Sequence, residues 1–186
     1  MKIIRIDDLP PTPWKNGGGV TREIAAFAER GAIVWRLSVA DVEKPGPFSH
    51  FPGLVRVLTV LTGEGLVLSH DGGRIAAETG RPVRFDGGLA IDCTLAAGPV
   101  RDFNLMFDPD RIAMDCARLD KGRHLAKGLL LLPLDASCFI EGVGAVSPGS
   151  LLLAETPMQM RVDVGEAALL VTSDQARDKS PATARR

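Results

Sequence analysis

Between Pro13 and Glu23 the chain sets an aromatic ring, a cation, an amide, three glycines, a hydroxyl and an Arg/Glu pair side by side: Pro13-Trp14-Lys15-Asn16-Gly17-Gly18-Gly19-Val20-Thr21-Arg22-Glu23. Consecutive glycines let a ligand or a second strand approach the backbone closely, at an entropy cost that neighbouring contacts must offset. The groups around them suit a small polar anion. Two nucleotide-binding patterns built on glycine do not fit. The P-loop ends in Gly-Lys-Ser/Thr, whereas Lys15 precedes the glycines here, and the dinucleotide fingerprint Gly-x-Gly-x-x-Gly is not matched. A glycine-rich turn between two strands with solvated charges fits the same stretch equally well.

Two further segments carry polar groups among apolar ones. Trp35-Arg36-Leu37-Ser38-Val39-Ala40 alternates with period two, so Arg36, Ser38 and Ala40 share one face and Trp35, Leu37 and Val39 the other. In Val100-Arg101-Asp102-Phe103-Asn104-Leu105-Met106-Phe107 the same rule groups Asp102 and Asn104 with Val100 and Met106, and Arg101 with Phe103 and Leu105. Arginine clamps a carboxylate bidentately, and an amide or hydroxyl beside it fixes direction. The candidate ligand-binding set is therefore Trp14, Lys15, Asn16, Arg36, Ser38, Arg101, Asp102 and Asn104. Arg36 or Lys15 neutralises a ligand carboxylate, Asn16, Ser38 and Asn104 supply directional hydrogen bonds, Asp102 orients, and Trp14 walls the site. The competing reading of Arg36 and Arg101 is an ordinary ion pair, Arg101 with Asp102 or Glu23.

Other chemistries find less support. The three histidines, His50, His70 and His124, form no His-x-His pair and have no Glu at ligand spacing, so no metal or other cofactor is expected. His70 before a tight turn and His124 in a polar loop read as solvated, and His50 as a loop-surface residue. There is no Gly-x-Ser-x-Gly elbow, no cysteine with an evident histidine partner and no tyrosine. A metal-independent isomerase or hydrolase with Asp102 or Glu23 as general base is the enzymatic alternative to a binding protein.

Composition narrows the class. The 186 residues carry 22 basic and 23 acidic side chains, a balance without the electrostatic footprint of a nucleic-acid or membrane-surface binder. Neither a signal-peptide pattern at Met1–Asp8 nor a run of about 20 apolar residues is found, which reads as cytoplasmic. Cys93, Cys116 and Cys138 are odd in number, without a CxxC, and read as buried thiols in a reducing compartment.

Turn residues recur every eight to twelve positions from Glu43 onward, between short apolar or alternating runs. That spacing indicates an all-β sandwich or barrel of antiparallel strands. Leu54 to Leu61 is near-continuously apolar, interrupted by Arg56; Arg22 to Glu29 reads as a strand entering a hairpin at Glu29-Arg30-Gly31. Residues 1–110 form a first half carrying the polar motifs, and 111–173 a blander second half packed on it. Its expected strands are Ile112 to Leu119, Leu129 to Leu134, Ser137 to Ile140, Leu151 to Ala154, Met158 to Val162 and Ala167 to Val171. The charged stretch 174–186 reads as a disordered tail. Exposed strand edges suit a homodimer.

Four stretches also resemble, in order, the signatures of the HutD/Ves family: Pro13–Ile24, Trp35–Ala40, Gly46–Gly53 and Gly98–Asn104. The resemblance covers roughly residues 10–107. It implies a cupin-like double β-barrel, or bicupin, found in bacteria and often encoded with histidine-utilisation enzymes. It implies no established catalytic activity but a governor of histidine catabolism sensing a metabolite such as urocanate or formylglutamate; Ves-type members are associated with a cold- or stress-related role instead. The family's polar motif residues fall here on Trp14, Lys15, Asn16, Thr21, Glu23, Arg36, Ser38, Arg101, Asp102 and Asn104.

Overall fold

A computed structural model describes residues 1–175. Its strands, in chain order, are β1 (Lys2–Arg5), β2 (Pro11–Pro13), β3 (Gly19–Glu29), β4 (Ala32–Val42), β5 (Gly46–Pro47), β6 (Val55–Thr62), β7 (Leu66–His70), β8 (Gly73–Ala77), β9 (Val83–Asp86), β10 (Asp92–Leu95), β11 (Val100–Phe107), β12 (Ile112–Pro133), β13 (Cys138–Ile140), β14 (Gly144–Val146) and β15 (Ser150–Gln175). The one helical element among the described residues is a 3-10 turn, Ile6–Asp8. The fold is all-β, as turn spacing and alternation predict. The β3–β4 hairpin turns at Arg30 and Gly31, whose φ values of 51° and 80° are the positive pair that a tight primed turn needs.

The first half is two facing sheets. Six strands run in the order β2-β3-β4-β11-β6-β9, and four in the order β5-β10-β7-β8. Because side chains alternate across a strand, the six-stranded sheet has two distinct faces. Its inner face meets the small sheet through Leu58, Val60, Leu66, Leu68, Phe85 and Ile91, all buried. Its outer face, with Leu37, Val39, Phe103 and Leu105, packs on Leu130, Leu151, Leu169 and Val171 of the second half. The second half thus backs the wall that carries the polar motifs.

Pairing within the second half differs from the sequence reading. The expected separate strands between Ile112 and Leu119 and between Leu129 and Leu134 join into β12, and the three between Leu151 and Val171 join into β15. Both long strands bend back on themselves: Leu130 pairs with Leu153 on one side and with Val171 on the other, and Leu131 with Leu152 and Leu170. One strand pair thereby encloses an interior of its own, with Leu131, Cys138, Ile140, Leu152, Val162 and Val164 buried in it. Apolar runs mark the bends poorly, since the intervening residues 120–127 stay paired with β15 while one face of the strand meets water.

Two boundaries and the placement of one histidine are corrected. The first half does not begin at residue 1, because β1 adds to the second sheet, with Lys2 to Arg5 opposite Leu153 to Ser150. His124 sits within β12 opposite Val162, not in a loop; its Nε2 lies 2.7 Å from the Asp120 carbonyl. Asp174 and Gln175 close β15 instead of opening a tail; the remainder of the expected tail lies outside the described residues.

Candidate functional site

The glycine loop is a turn fixed by its own side chains. Asn16 Oδ1 accepts from the Gly18 amide at 3.0 Å, and the Gly17 amide donates to the Trp14 carbonyl at 3.0 Å. Trp14 Nε1 donates to Thr21 Oγ1 at 2.8 Å, and the indole stands edge-on to Phe48 at 5.8 Å. Gly19 is demanded by proximity: a Cβ there would lie 2.3 Å from the Asp41 carbonyl oxygen. The loop therefore presses against β4 and holds Trp14 over the mouth of the inner sheet.

Beneath it opens a cavity of about 680 Å³, of a size that takes a small metabolite. Its wall is read off three strands by alternation. Thr21 and Glu23 face it from β3, Arg36 and Ser38 from β4, and Asp102, Asn104 and Met106 from β11, while Trp14, Lys15 and Asn16 come from the loop. The structure thus brings seven of the eight sequence candidates together: Trp14, Lys15, Asn16, Arg36, Ser38, Asp102 and Asn104.

Arg101 is the exception and is corrected. As the residue before Asp102, it points to the opposite face, where its Nε and Nη2 donate to Asp41 at 2.6 and 3.2 Å and its Nη1 lies 3.0 Å from Asp7. Arg22 Nη1 completes this cluster at 2.5 Å from Asp41. Arg101 is a structural ion pair with Asp41 and Asp7, and not with Asp102 or Glu23. Burial pushes the Asp41 carboxyl up, but hydrogen bonds from Arg101 and Arg22 and their charges outweigh it and hold Asp41 below its ordinary value.

The residue that sequence reasoning missed is Arg56. It stands on β6 in line with Leu58 and Val60, on the inner face, and only 5% of it is exposed. Its guanidinium lies 5.4, 5.7 and 5.2 Å from the ring centroids of Phe48, Phe51 and Phe85, and its Nη2 donates to Asn104 Oδ1 at 2.8 Å. Its Nε has no partner, and Arg56 makes no ion pair among the described residues. Burial lowers its pKa to about 10, against the charge of Asp102 that raises it, so it stays cationic at neutral pH. The signal was the lone charge in an otherwise apolar strand, since a cation buried on both sides is costly unless something is there to meet it.

Asp102 is fully buried beside it. A guanidinium only donates, so the Asn104 carbonyl faces Arg56 and its amide nitrogen faces Asp102 Oδ1, a contact the structure shows. Asp102 Oδ2 has no hydrogen-bond partner among the described residues. Burial pushes this carboxyl up to about 7, partly offset by the Arg56 charge and the Asn104 hydrogen bond, with the Asp41 charge adding to the rise. At the mouth, Arg36 Nε donates to Glu23 at 2.8 Å, the ion pair that was the competing reading of Arg36. Counting Lys15, Arg36 and Arg56 against Glu23 and Asp102, the lining is net positive.

The other reactive types lie elsewhere. His50 and His70 do not join the set; His70 Nδ1 accepts from the Gly72 amide at 3.1 Å. No group of three or more His, Cys, Asp or Glu able to hold a metal occurs among the described residues. Cys93, Cys116 and Cys138 are free and buried, as expected. Burial pushes the Cys93 and Cys116 thiols up to about 12 and that of Cys138 up as well, so none is a nucleophile at neutral pH. No described helix is long and apolar enough to cross a membrane.

The family model that matches this chain is that of HutD, over residues 6–143. The chain belongs to the HutD family. An uncharacterized 21.2 kDa protein from the hutC 3′ region of Pseudomonas putida is 41% identical over 119 residues, 60% of each chain. Protein Ves of Citrobacter koseri is 37% identical over 117 residues, again 60% of each. The match therefore spans about 60% of the length of these curated relatives. The structure of HutD from Pseudomonas fluorescens superposes with a TM-score of 0.80 at 31% identity, covering 93% of this chain and 98% of that one. A cupin 2 conserved barrel domain protein from Leptotrichia buccalis, 14% identical, superposes with a TM-score of 0.57 over 93% of this chain and 96% of its own. The HutD fold is thus all-β and cupin-like.

Proposed function

We propose that this HutD-family protein is a non-enzymatic binding protein for a small carboxylate-bearing metabolite, and that it acts as a governor of histidine utilisation, with urocanate or formylglutamate as the ligand. The observation that carries the reading is Arg56. A desolvated guanidinium without an ionic partner among the described residues, at the wall of a cavity that also presents Arg36 and Lys15, is an arrangement that an entering carboxylate completes. Ser38 and Asn104 add polar groups beside it, and Trp14 and Phe48 supply an apolar wall for the rest of the ligand. The names of the relatives support the pathway, one being HutD itself and another lying beside hutC.

Titration calorimetry with urocanate and with formylglutamate tests it. Saturable binding by the wild-type protein, weakened by about 2 to 5 kcal/mol in Arg56→Ala or Arg36→Ala, is expected for charges that meet the ligand out of water. Binding that both variants retain at full strength overturns the site, and no binding of either ligand overturns their assignment.

One observation favours a second reading, a metal-independent enzyme. Asp102 combines a pKa near 7 with a free Oδ2 at the cavity, the properties of a general base. Glu23 is less suited, being engaged by Arg36. Turnover of either metabolite that Asp102→Asn abolishes, with the fold intact, decides for it.

A further inference from the structure

Asp102 is a buried acid that the binding reading leaves without a task. None of its surface is open to water, yet it borders the cavity, and Oδ2 has no partner among the described residues. The groups around it are few. Asn104 on its own strand donates to Oδ1; Arg56 reaches it from β6 only through that amide; Cys93 from β10 is a protonated thiol; and Asp41, on the far face of β4, acts on it with charge of the same sign. Arg36, also on β4, pushes against Arg56. Among the described residues, Arg56 is thus the one cation that offsets the Asp102 charge at close quarters.

An anion entering the cavity draws on that same cation. Two negative charges then share one guanidinium in a water-poor interior, where like charges are mutually costly and one of them is relieved by a proton. We infer, building on the anion-binding reading above, that Asp102 takes up a proton when the cavity fills, so that the ligand is bound as an anion together with one proton. The proton comes from solvent and rests on Oδ2, since Oδ1 accepts from Asn104. No bond other than this O–H is made or broken. The site would thereby hold its anion more tightly as the surroundings acidify, with no histidine among the described residues of the cavity wall.

Formate is the probe, because it is a bare carboxylate that stays ionised throughout. Calorimetric titration at about pH 8 in two buffers of different ionisation enthalpy is expected to show uptake approaching one proton per formate bound, and affinity is expected to fall towards tenfold per pH unit above about pH 7. Asp102→Asn should bind formate with heats independent of buffer and affinity independent of pH. Formate that binds the wild-type protein without proton uptake overturns the linkage and leaves the anion site standing. A pH dependence that persists in Asp102→Asn places the proton elsewhere and overturns it too. Formate that binds at neither about pH 6 nor about pH 8 overturns the anion reading itself. The two-buffer measurement needs only the wild-type protein, so it decides even where the variant fails to fold.

Discussion

Arg56 is joined to Asp102 through a single amide: Asn104 accepts from the guanidinium at 2.8 Å and donates to the carboxyl. The pair is therefore coupled without touching. Removing one member of a buried charged set costs more than removing the set, because the survivor stays buried and uncompensated. Arg56→Met is expected to lower stability by about 3 to 5 kcal/mol, and adding Asp102→Asn to it should recover at least about 1 kcal/mol of that loss. Urea unfolding of the wild type, both single variants and the double variant closes the cycle. Simple additivity would show that the amide carries no coupling.

The protonation of Asp102 gives a second expectation, on stability. Burial raises its carboxyl from 3.8 to about 7 in the folded protein. A raised acid binds more protons folded than unfolded between those two values. Its contribution to stability is therefore full below about pH 4 and lost as pH rises towards 7, with no further change above. Compared with Asp102→Asn, the wild-type protein should lose a few kcal/mol over that interval. Asp41 works in the opposite sense: held below 3.8, it contributes stability above that pH and loses it as pH falls further. Unfolding free energies of the two proteins at pH 4, 5.5 and 7.5 check this. A constant difference across the three would mean that Asp102 titrates normally.

These residues also show what the sequence could and could not say. Alternation on β4 and β11 placed Arg36, Ser38, Asp102 and Asn104 on one face, and that face is the cavity wall. The same alternation already separated Arg101 from Asp102; Arg101 entered the candidate set on its chemistry and family motif, and its true partners, Asp41 and Asp7, come from another strand and from the 3-10 turn, which no local pattern joins to it. Arg56 went unread because a charge in an apolar run gives no hint of the three phenylalanines that surround it, two of them in a loop and one on β9. In the second half the apolar runs were right and the strand ends were not. Residues 120–127 keep the ladder while one face meets solvent, so hydropathy breaks where hydrogen bonding does not.

Arg36 and Arg101 separate binding from scaffolding. Both are half-buried and ion-paired, but Arg36 faces the cavity and Arg101 the opposite side. Arg36→Ala is expected to weaken carboxylate binding about thirtyfold or more and to change stability by under about 1 kcal/mol, since its partner Glu23 is exposed. Arg101→Ala should do the reverse, leaving affinity within about twofold and costing about 1 to 3 kcal/mol, because the half-buried Asp41 then keeps Arg22 as its one cation among the described residues and Asp7 loses its partner. Calorimetry and urea unfolding on the two variants test the contrast. Equal effects on affinity would put both arginines on one face and contradict the register of β11 against β4.

Gly19 and Gly31 are two glycines with different reasons to be glycine, and substitution distinguishes them. At Gly31 nothing lies within 4 Å of an added Cβ, and the constraint is the positive φ of 80°. Asparagine tolerates that conformation, so Gly31→Ala should cost about 1 kcal/mol and Gly31→Asn distinctly less. At Gly19 the constraint is space: the added Cβ would meet the Asp41 carbonyl at 2.3 Å, on a backbone held by pairing on both sides. The backbone cannot yield as a side-chain end would. Gly19→Ala should therefore cost about 1 to 3 kcal/mol or more, and Gly19→Asn should cost at least as much. Because the same glycine seats the loop that carries Trp14 and Lys15 over the cavity, Gly19→Ala is also expected to weaken carboxylate binding, which Gly31→Ala at the far hairpin tip leaves unchanged. Asparagine rescuing both positions, or Gly19→Ala binding as the wild type does, would show that the loop is not held against β4 by this contact.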